Sequence, residues 1–295
     1  MVAGLLAAAW GLRSTILALI LTAVPPIGIF GVAHPLTAAG ILFPRAAWIG
    51  LVVTLLLPCA LIRFPRVAVG VAVLTSLTLN LLYHPPPPPA GWQGIDTSFG
   101  DIRDKKDGAA EFRAAQSIQE TALNSRARVL VFPELAVTRW TEATEAFWRP
   151  TLEQFAITRR TILIGAGIPI PGTRDYQNVL MKVPSTPGIE TQYLPQRISL
   201  PWVMWNPIAS KDRVPLRPWG SGVLEVAGER AAVLICYEQL IPWPVLTAMA
   251  ERPTVVVAVS NAVWTRRTPI PAVQAASVES WSRLFDLPTV SSVNQ

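Results

Sequence analysis

Histidine is nearly missing from this chain. Both copies, His34 and His84, precede the part of the sequence where strand and helix patterns alternate, which excludes a Cys–His or Ser–His pair there and most zinc sites with it. Cysteine is as scarce: Cys59 lies inside a long apolar run and Cys236 far outside it, so the two fall in different environments and no disulfide framework exists. Charged residues make up only 15% of the chain, and the net charge of +6 is spread along it with no cluster of Lys and Arg interleaved with aromatics. Direct nucleic-acid binding therefore has no support. No G-x-S-x-G elbow, Walker A loop or G-x-G-x-x-G fingerprint occurs, and "GAG" at 165 to 167 reads as a lone tight turn. Neither a metal nor a cofactor is expected.

What is abundant is apolar surface. With 51% hydrophobic residues and a mean hydropathy of +0.38, the chain is too apolar for an ordinary soluble domain. The excess lies before residue 84, in uncharged runs at 14–32, 46–62 and 67–83, each near the length that crosses about 30 Å of hydrocarbon. Residues 1–83 are therefore expected to form a transmembrane region of three spans. Residues 1–12 are too short to span and lack a basic start, so no cleaved signal is expected. Pro25-Pro26 predicts a kink in the first span. Arg63 and Arg66 sit in the short loop between the last two spans, and Arg13 falls on the same side, against Arg45 alone opposite. The positive-inside rule then predicts a multi-pass protein of a bacterial inner membrane, with everything after residue 84 in the periplasm.

"HPPPPPA", residues 84 to 90, opens a polyproline II spacer assigned to 84–91, expected to hold the remainder of the chain clear of the bilayer. From 92 to 295 the pattern alternates. Helical spacing at 108–127 is followed by "RVLVFPE" as a strand, a second helix, and "TILIGAGIPI" as a strand. "QNVLMKV", "SGVLEVAGERAAVLICYE" and "TVVVAVSN" are further strands, with helices near 243–250 and 271–285. Such alternation predicts an α/β domain with covered sheets, in which functional residues gather at the carboxyl ends of strands.

Three strand ends stand out: Glu134 closes "VLVFPE", Cys236 closes "AAVLIC", and Ser260-Asn261 closes "TVVVAVSN". Each polar residue comes after at least three apolar ones, where burial can shift a pKa. A nucleophilic Cys236 without histidine needs a carboxylate or a lysine as its base. Glu134 is the natural candidate, since a carboxylate in an apolar pocket can have its pKa raised toward neutrality.

"VFPE", then "ICYE" about a hundred residues later, then "SNAVW" (Ser260 to Trp264) together resemble the nitrilase, or carbon–nitrogen hydrolase, superfamily over roughly residues 92 to 294. With apolar spans in front of the domain, the chain is most similar to the membrane-anchored conjugal transfer proteins of the TraB type, and next to the apolipoprotein N-acyltransferases. The resemblance implies an α-β-β-α sandwich preceded by transmembrane helices. It implies Glu134 as general base, Cys236 as nucleophile of a thioester acyl-enzyme, and Glu238 as a supporting carboxylate, with Tyr237, Asn261 and Trp264 beside them. The family's lysine is replaced: Gln196 stands in its position, with Arg197 next to it as the one cation able to stabilise an oxyanion, and Met204 replaces the glutamate of the acyltransferase loop. A thiol amidase or acyltransferase is the activity implied, with an inactive binding or assembly module and a lipoprotein N-acyltransferase as alternatives. The bilayer, an acyl or amide substrate and other conjugal transfer proteins are the implied partners. Family members continue past the strand that Asn294 closes, so truncation at the carboxyl end is expected.

Overall fold

The structure, a computed structural model, describes residues 11–100, 109–184, 191–206, 208 and 213–295. Helix α1 (Leu12–Ala23) stops before Pro25-Pro26, and 3-10 turns at Ile27–Phe30 and Pro35–Ala38 lead to the single turn α2 (Ala39–Leu42). Proline lacks the N–H and clashes with the preceding turn, so the run 14–32 is a broken helix, not a continuous span. Helices α3 (Ala47–Arg63) and α4 (Pro65–Leu82) form a hairpin joined by Phe64 alone, with Arg63 and Arg66 at its tip. Among the described residues, α4 is the one helix long and apolar enough to cross a membrane, against the three spans expected; α1 and α3 are apolar but shorter.

Among the described residues, nine strands build two sheets. β1 (Trp92–Gly94), β2 (Val129–Val131), β3 (Thr161–Pro169), β4 (Tyr176–Val183) and β5 (Tyr193–Pro195) form the first in that order, parallel up to β3 and antiparallel beyond. β6 (Val223–Val226), β7 (Glu229–Ile235), β8 (Val255–Asn261) and β9 (Thr289–Asn294) form the second, with an antiparallel β6–β7 hairpin and parallel pairs after it. Side chains alternate across each strand, and that alternation sorts the core into layers. Val129, Val131, Leu163 and Leu180 meet Val233, Ile235, Val257 and Val259 between the sheets. Leu130, Ile162 and Ile164 face α5 (Ala110–Asn124) and α6 (Glu142–Ile157) through Ile118, Trp148 and Phe155. Ala232, Leu234, Val256 and Ala258 face α7 (Pro242–Ala250) and α8 (Ile270–Phe285). The result is an α-β-β-α sandwich. Strands covered on both faces carry unbroken apolar runs, which is why they were readable.

The spacer does not hold the two halves apart. Tyr83, Pro86 and Pro89 are half-buried while their neighbours are exposed, the three-residue period of a polyproline II helix laying one edge on a surface. The N-terminal helices also pack onto the outer helical layer: Ala23, Leu36, Ala39 and Leu51 share a core with Val278, Trp281 and Leu284 of α8.

Candidate active site

The first functional side chain is placed by a crossing of backbone over strand. After β2 the chain turns at Leu135, whose φ is 51°, and runs beside β3, with Val137 N–H donating to the Gly165 carbonyl (3.0 Å) and Trp140 N–H to the Gly167 carbonyl (2.8 Å). Gly165 therefore lies inside a strand rather than in the tight turn its sequence suggested. A Cβ there would stand 2.6 Å from Glu134 Cα and closer still to the Pro133 carbonyl, so only glycine lets this loop lie flat. Gly165→Ala is expected to cost about 1–3 kcal/mol by overpacking and to push Glu134 off its partners. A thermal melt together with Cys236 alkylation kinetics checks this; unchanged kinetics would show that the loop has another way to seat.

Glu134 is buried and its two oxygens are held separately. Oε1 accepts from Asn178 Nδ2 at 2.7 Å, and Oε2 accepts from the Asn261 backbone N–H at 2.9 Å. The same Asn178 amide donates to Gln196 Oε1 at 3.0 Å, while Gln196 Nε2 donates to the Ile235 carbonyl at 3.1 Å. Cys236 ends β7 with φ 51°, a left-handed conformation that costs a non-glycine residue about 1–3 kcal/mol. Its thiol donates to the Glu134 carboxylate, and the backbone N–H groups of Tyr237 and Asn261 point at the sulfur. Burial, and then the charge of Glu134, raise the Cys236 thiol well above its ordinary range. At neutral pH the cysteine therefore rests as the thiol, the form from which a base-assisted attack starts.

Glu238 and Arg197 lie behind the nucleophile. Glu238 accepts from the backbone N–H groups of Arg197 (2.5 Å), Ile198 (3.2 Å) and Ile235 (3.0 Å) and pairs with Arg197 Nε at 3.4 Å. The Arg197 guanidinium is 1% exposed, and its remaining donors go to the carbonyls of Pro244 (2.8 Å) and Val233 (3.0 Å) and to the Thr247 hydroxyl (3.1 Å). This corrects the expectation for Arg197. Neighbouring residues on extended chain point to opposite faces, so Gln196 turns toward Glu134 and Cys236 while Arg197 turns into the layer beneath α7, its two terminal nitrogens bonded to protein and its Nε facing Glu238 without a hydrogen bond.

The fold thus brings Glu134, Cys236, Gln196 and the Asn261 backbone together. Tyr237 is buried beside them, its hydroxyl pushed up to about 12 by burial. Trp264 is 54% exposed on the turn after β8 and makes no hydrogen bond among the described residues. Two contributors were missed. Asn178 is a fully buried amide inside the apolar run of β4, a signal the sequence offers. Gln274 donates to the Cys236 carbonyl at 3.0 Å from a helix more than thirty residues away, and nothing local announces it.

By fold and site, the molecule is an α-β-β-α sandwich protein with a buried carboxylate–thiol pair. The chain is 35% identical over 290 residues to the probable conjugal transfer protein TraB of Sinorhizobium fredii, covering 95% of this chain and 72% of that protein. It is 33% identical over 293 residues to the conjugal transfer protein TraB of Agrobacterium fabrum, covering 94% of this chain and 65% of that one. The chain belongs to the TraB family of conjugal transfer proteins and spans only part of those relatives' length. No family model matches it. Among solved structures it is similar to an amidase of the nitrilase superfamily from Nesterenkonia, at 14% identity and a TM-score of 0.46 over 69% of this chain and 78% of that one. It is also similar to a carbon–nitrogen hydrolase from Helicobacter pylori, at 10% identity and a TM-score of 0.45 over 68% and 72%.

Proposed function

We propose that the protein is a membrane-anchored thiol amidase or acyltransferase that works through a Cys236 acyl-enzyme in conjugal plasmid transfer. The observation that carries this reading is the Cys236 thiol donating to the buried carboxylate of Glu134. In the first step the sulfur attacks the carbonyl carbon of an amide and its proton passes to Glu134. As the tetrahedral intermediate collapses, the C–N bond breaks and Glu134 returns the proton to the leaving nitrogen, which leaves a thioester on Cys236. Water or an acceptor amine then attacks the thioester, with Glu134 taking its proton, and the thiol is restored. The Tyr237 N–H, already aimed at the sulfur, is a backbone donor for the developing oxyanion on this reading.

Gln196 favours a second reading. The family's lysine is absent from this position, and the amide there is spent on Asn178 and the Ile235 carbonyl, which suits a scaffold that keeps the fold as a binding or assembly module among transfer proteins. Met204 in place of the acyltransferase glutamate weighs against lipoprotein acylation. Anchoring in an inner membrane is supported by the exposed apolar surface of Leu17, Ile49, Val52, Val67, Val73 and Leu77 on α1, α3 and α4. A lipid bilayer is the partner that such a surface suits. Arg63 and Arg66 at the hairpin tip support a cytoplasmic tip and a periplasmic sandwich.

Iodoacetamide labelling of the full chain in detergent, with Cys59 replaced by serine, tests the reading. One adduct is expected, on Cys236, rising with pH and absent from Cys236→Ser. Equal labelling of the two proteins would remove Cys236 from the chemistry and leave the scaffold reading.

A further inference from the structure

The turn that carries the nucleophile is held from two directions by the N-terminal segment. Directly, the Tyr237 hydroxyl donates to the Ile29 carbonyl at 2.8 Å, and Ile29 packs against Ile198, Tyr237 and Ile241. Indirectly, α8 grips the turn at its first half and the N-terminal segment at its second. Gln274 donates to the Cys236 carbonyl and Ser277 to the Gln239 carbonyl at 2.5 Å. One turn further on, Ser280 donates to the Thr37 carbonyl. Gly40 lies so close to α8 that a Cβ would overlap the Ser280 carbonyl. Arg283 reaches the Gly40 carbonyl (3.4 Å) and Asn80, and lies 4.7 Å from the centre of the Tyr83 ring, while Arg45 pairs with Asp286 at 3.0 Å.

A left-handed cysteine persists only where its surroundings over-determine it, and here those surroundings include Ile29, 208 positions from Tyr237 in sequence. We propose that residues 27–40 are a working part of the catalytic site. The Ile29 carbonyl acts through Tyr237, and α8 acts through Gln274, to hold Cys236 against Glu134, so that the seating of the N-terminal helices sets the reactivity of the thiol. Tyr237 and Gln274 are positioning residues on this account, and the sandwich from residue 92 onward is not an autonomous catalytic unit. The inference rests on Cys236 being the reactive group but not on turnover of any acyl substrate.

The experiment is the pH profile of Cys236 alkylation by iodoacetamide in the full chain with Cys59→Ser. Tyr237→Phe and Gln274→Leu each delete one hydrogen bond to the turn and are expected to move the midpoint down by roughly half to one unit, as the thiol leaves the carboxylate and its buried setting. Gly40→Ala touches neither Cys236 nor Glu134, yet its Cβ overlaps the Ser280 backbone, forces α8 to shift and is expected to act in the same direction. Gly70→Ala, on α4 where an added Cβ meets nothing within 4 Å, is expected to leave the profile unchanged. Should Gly40→Ala fail to fold, Tyr237→Phe, which is near-isosteric, and Gln274→Leu decide. Wild-type midpoints in both Tyr237→Phe and Gln274→Leu would overturn the proposal. Shifted midpoints in a protein that captures no acyl group would keep it and remove the enzyme reading instead.

Discussion

Arg197→Met is expected to destabilise the protein by about 3–5 kcal/mol, because it leaves the charge of Glu238 buried without its partner. Glu238 is wholly shielded from solvent and Arg197 is 1% exposed, so water cannot compensate on either side. The change also strands the carbonyls of Val233 and Pro244, which the guanidinium satisfies. Glu238→Leu should be at least as severe, since three backbone N–H groups lose their acceptor along with the charge. Thermal melts in detergent should show a fall on the order of 10 °C for either variant. The acylation rate per folded molecule should change far less for Arg197→Met, because the terminal nitrogens of that side chain are bonded to protein and its Nε faces Glu238. A variant with wild-type stability and lost acylation would return Arg197 to the oxyanion role that its place in the sequence suggested.

Glu134→Gln is expected to lower the acylation rate by about 10²- to 10⁴-fold, the usual contribution of a positioned general base. The same change should move alkylation the other way. A carboxylate beside the thiol disfavours the thiolate, so its charge raises the thiol's pKa on top of burial. Replacing it with a neutral amide removes that contribution, and the midpoint of the alkylation profile falls to lower pH while burial keeps it above an ordinary thiol. Alkylation below the wild-type midpoint should therefore be faster in Glu134→Gln even as acylation collapses. Parallel loss of both rates would mean that the carboxylate holds the turn in place and takes no part in proton transfer.

The strands were legible because burial on both faces imposes a local rule that can be read from the chain: Val129–Val131, Ala231–Ile235 and Val255–Val259 are apolar without alternation. Their ends were legible for the same reason, since a polar residue that closes such a run is conspicuous. What escaped depends on clearance and direction, which spacing does not encode. Gly165 looked like a turn because the loop that needs its missing Cβ comes from thirty residues earlier. Gln196 and Arg197 were both expected beside the thiol, yet one residue of offset on an extended backbone sends them to opposite layers. The proline run reads as a stiff spacer, but whether such a rod stands free or lies along a surface is decided by the surface, and Tyr83, Pro86 and Pro89 are half-buried. The 14–32 run had the composition of a span and, at Pro25-Pro26, the residues that break one.

The central claim is that Cys236 takes an acyl group with Glu134 as its base. Intact-mass measurement of the full chain in detergent, with Cys59→Ser and an excess of a p-nitrophenyl ester as acyl donor, tests it most directly. The account predicts a single acyl adduct that hydroxylamine removes, that vanishes in Cys236→Ala, and that forms at least about a hundredfold more slowly in Glu134→Gln. An adduct that persists in Cys236→Ala, or a chain that captures no acyl group while its thiol still alkylates, would contradict it.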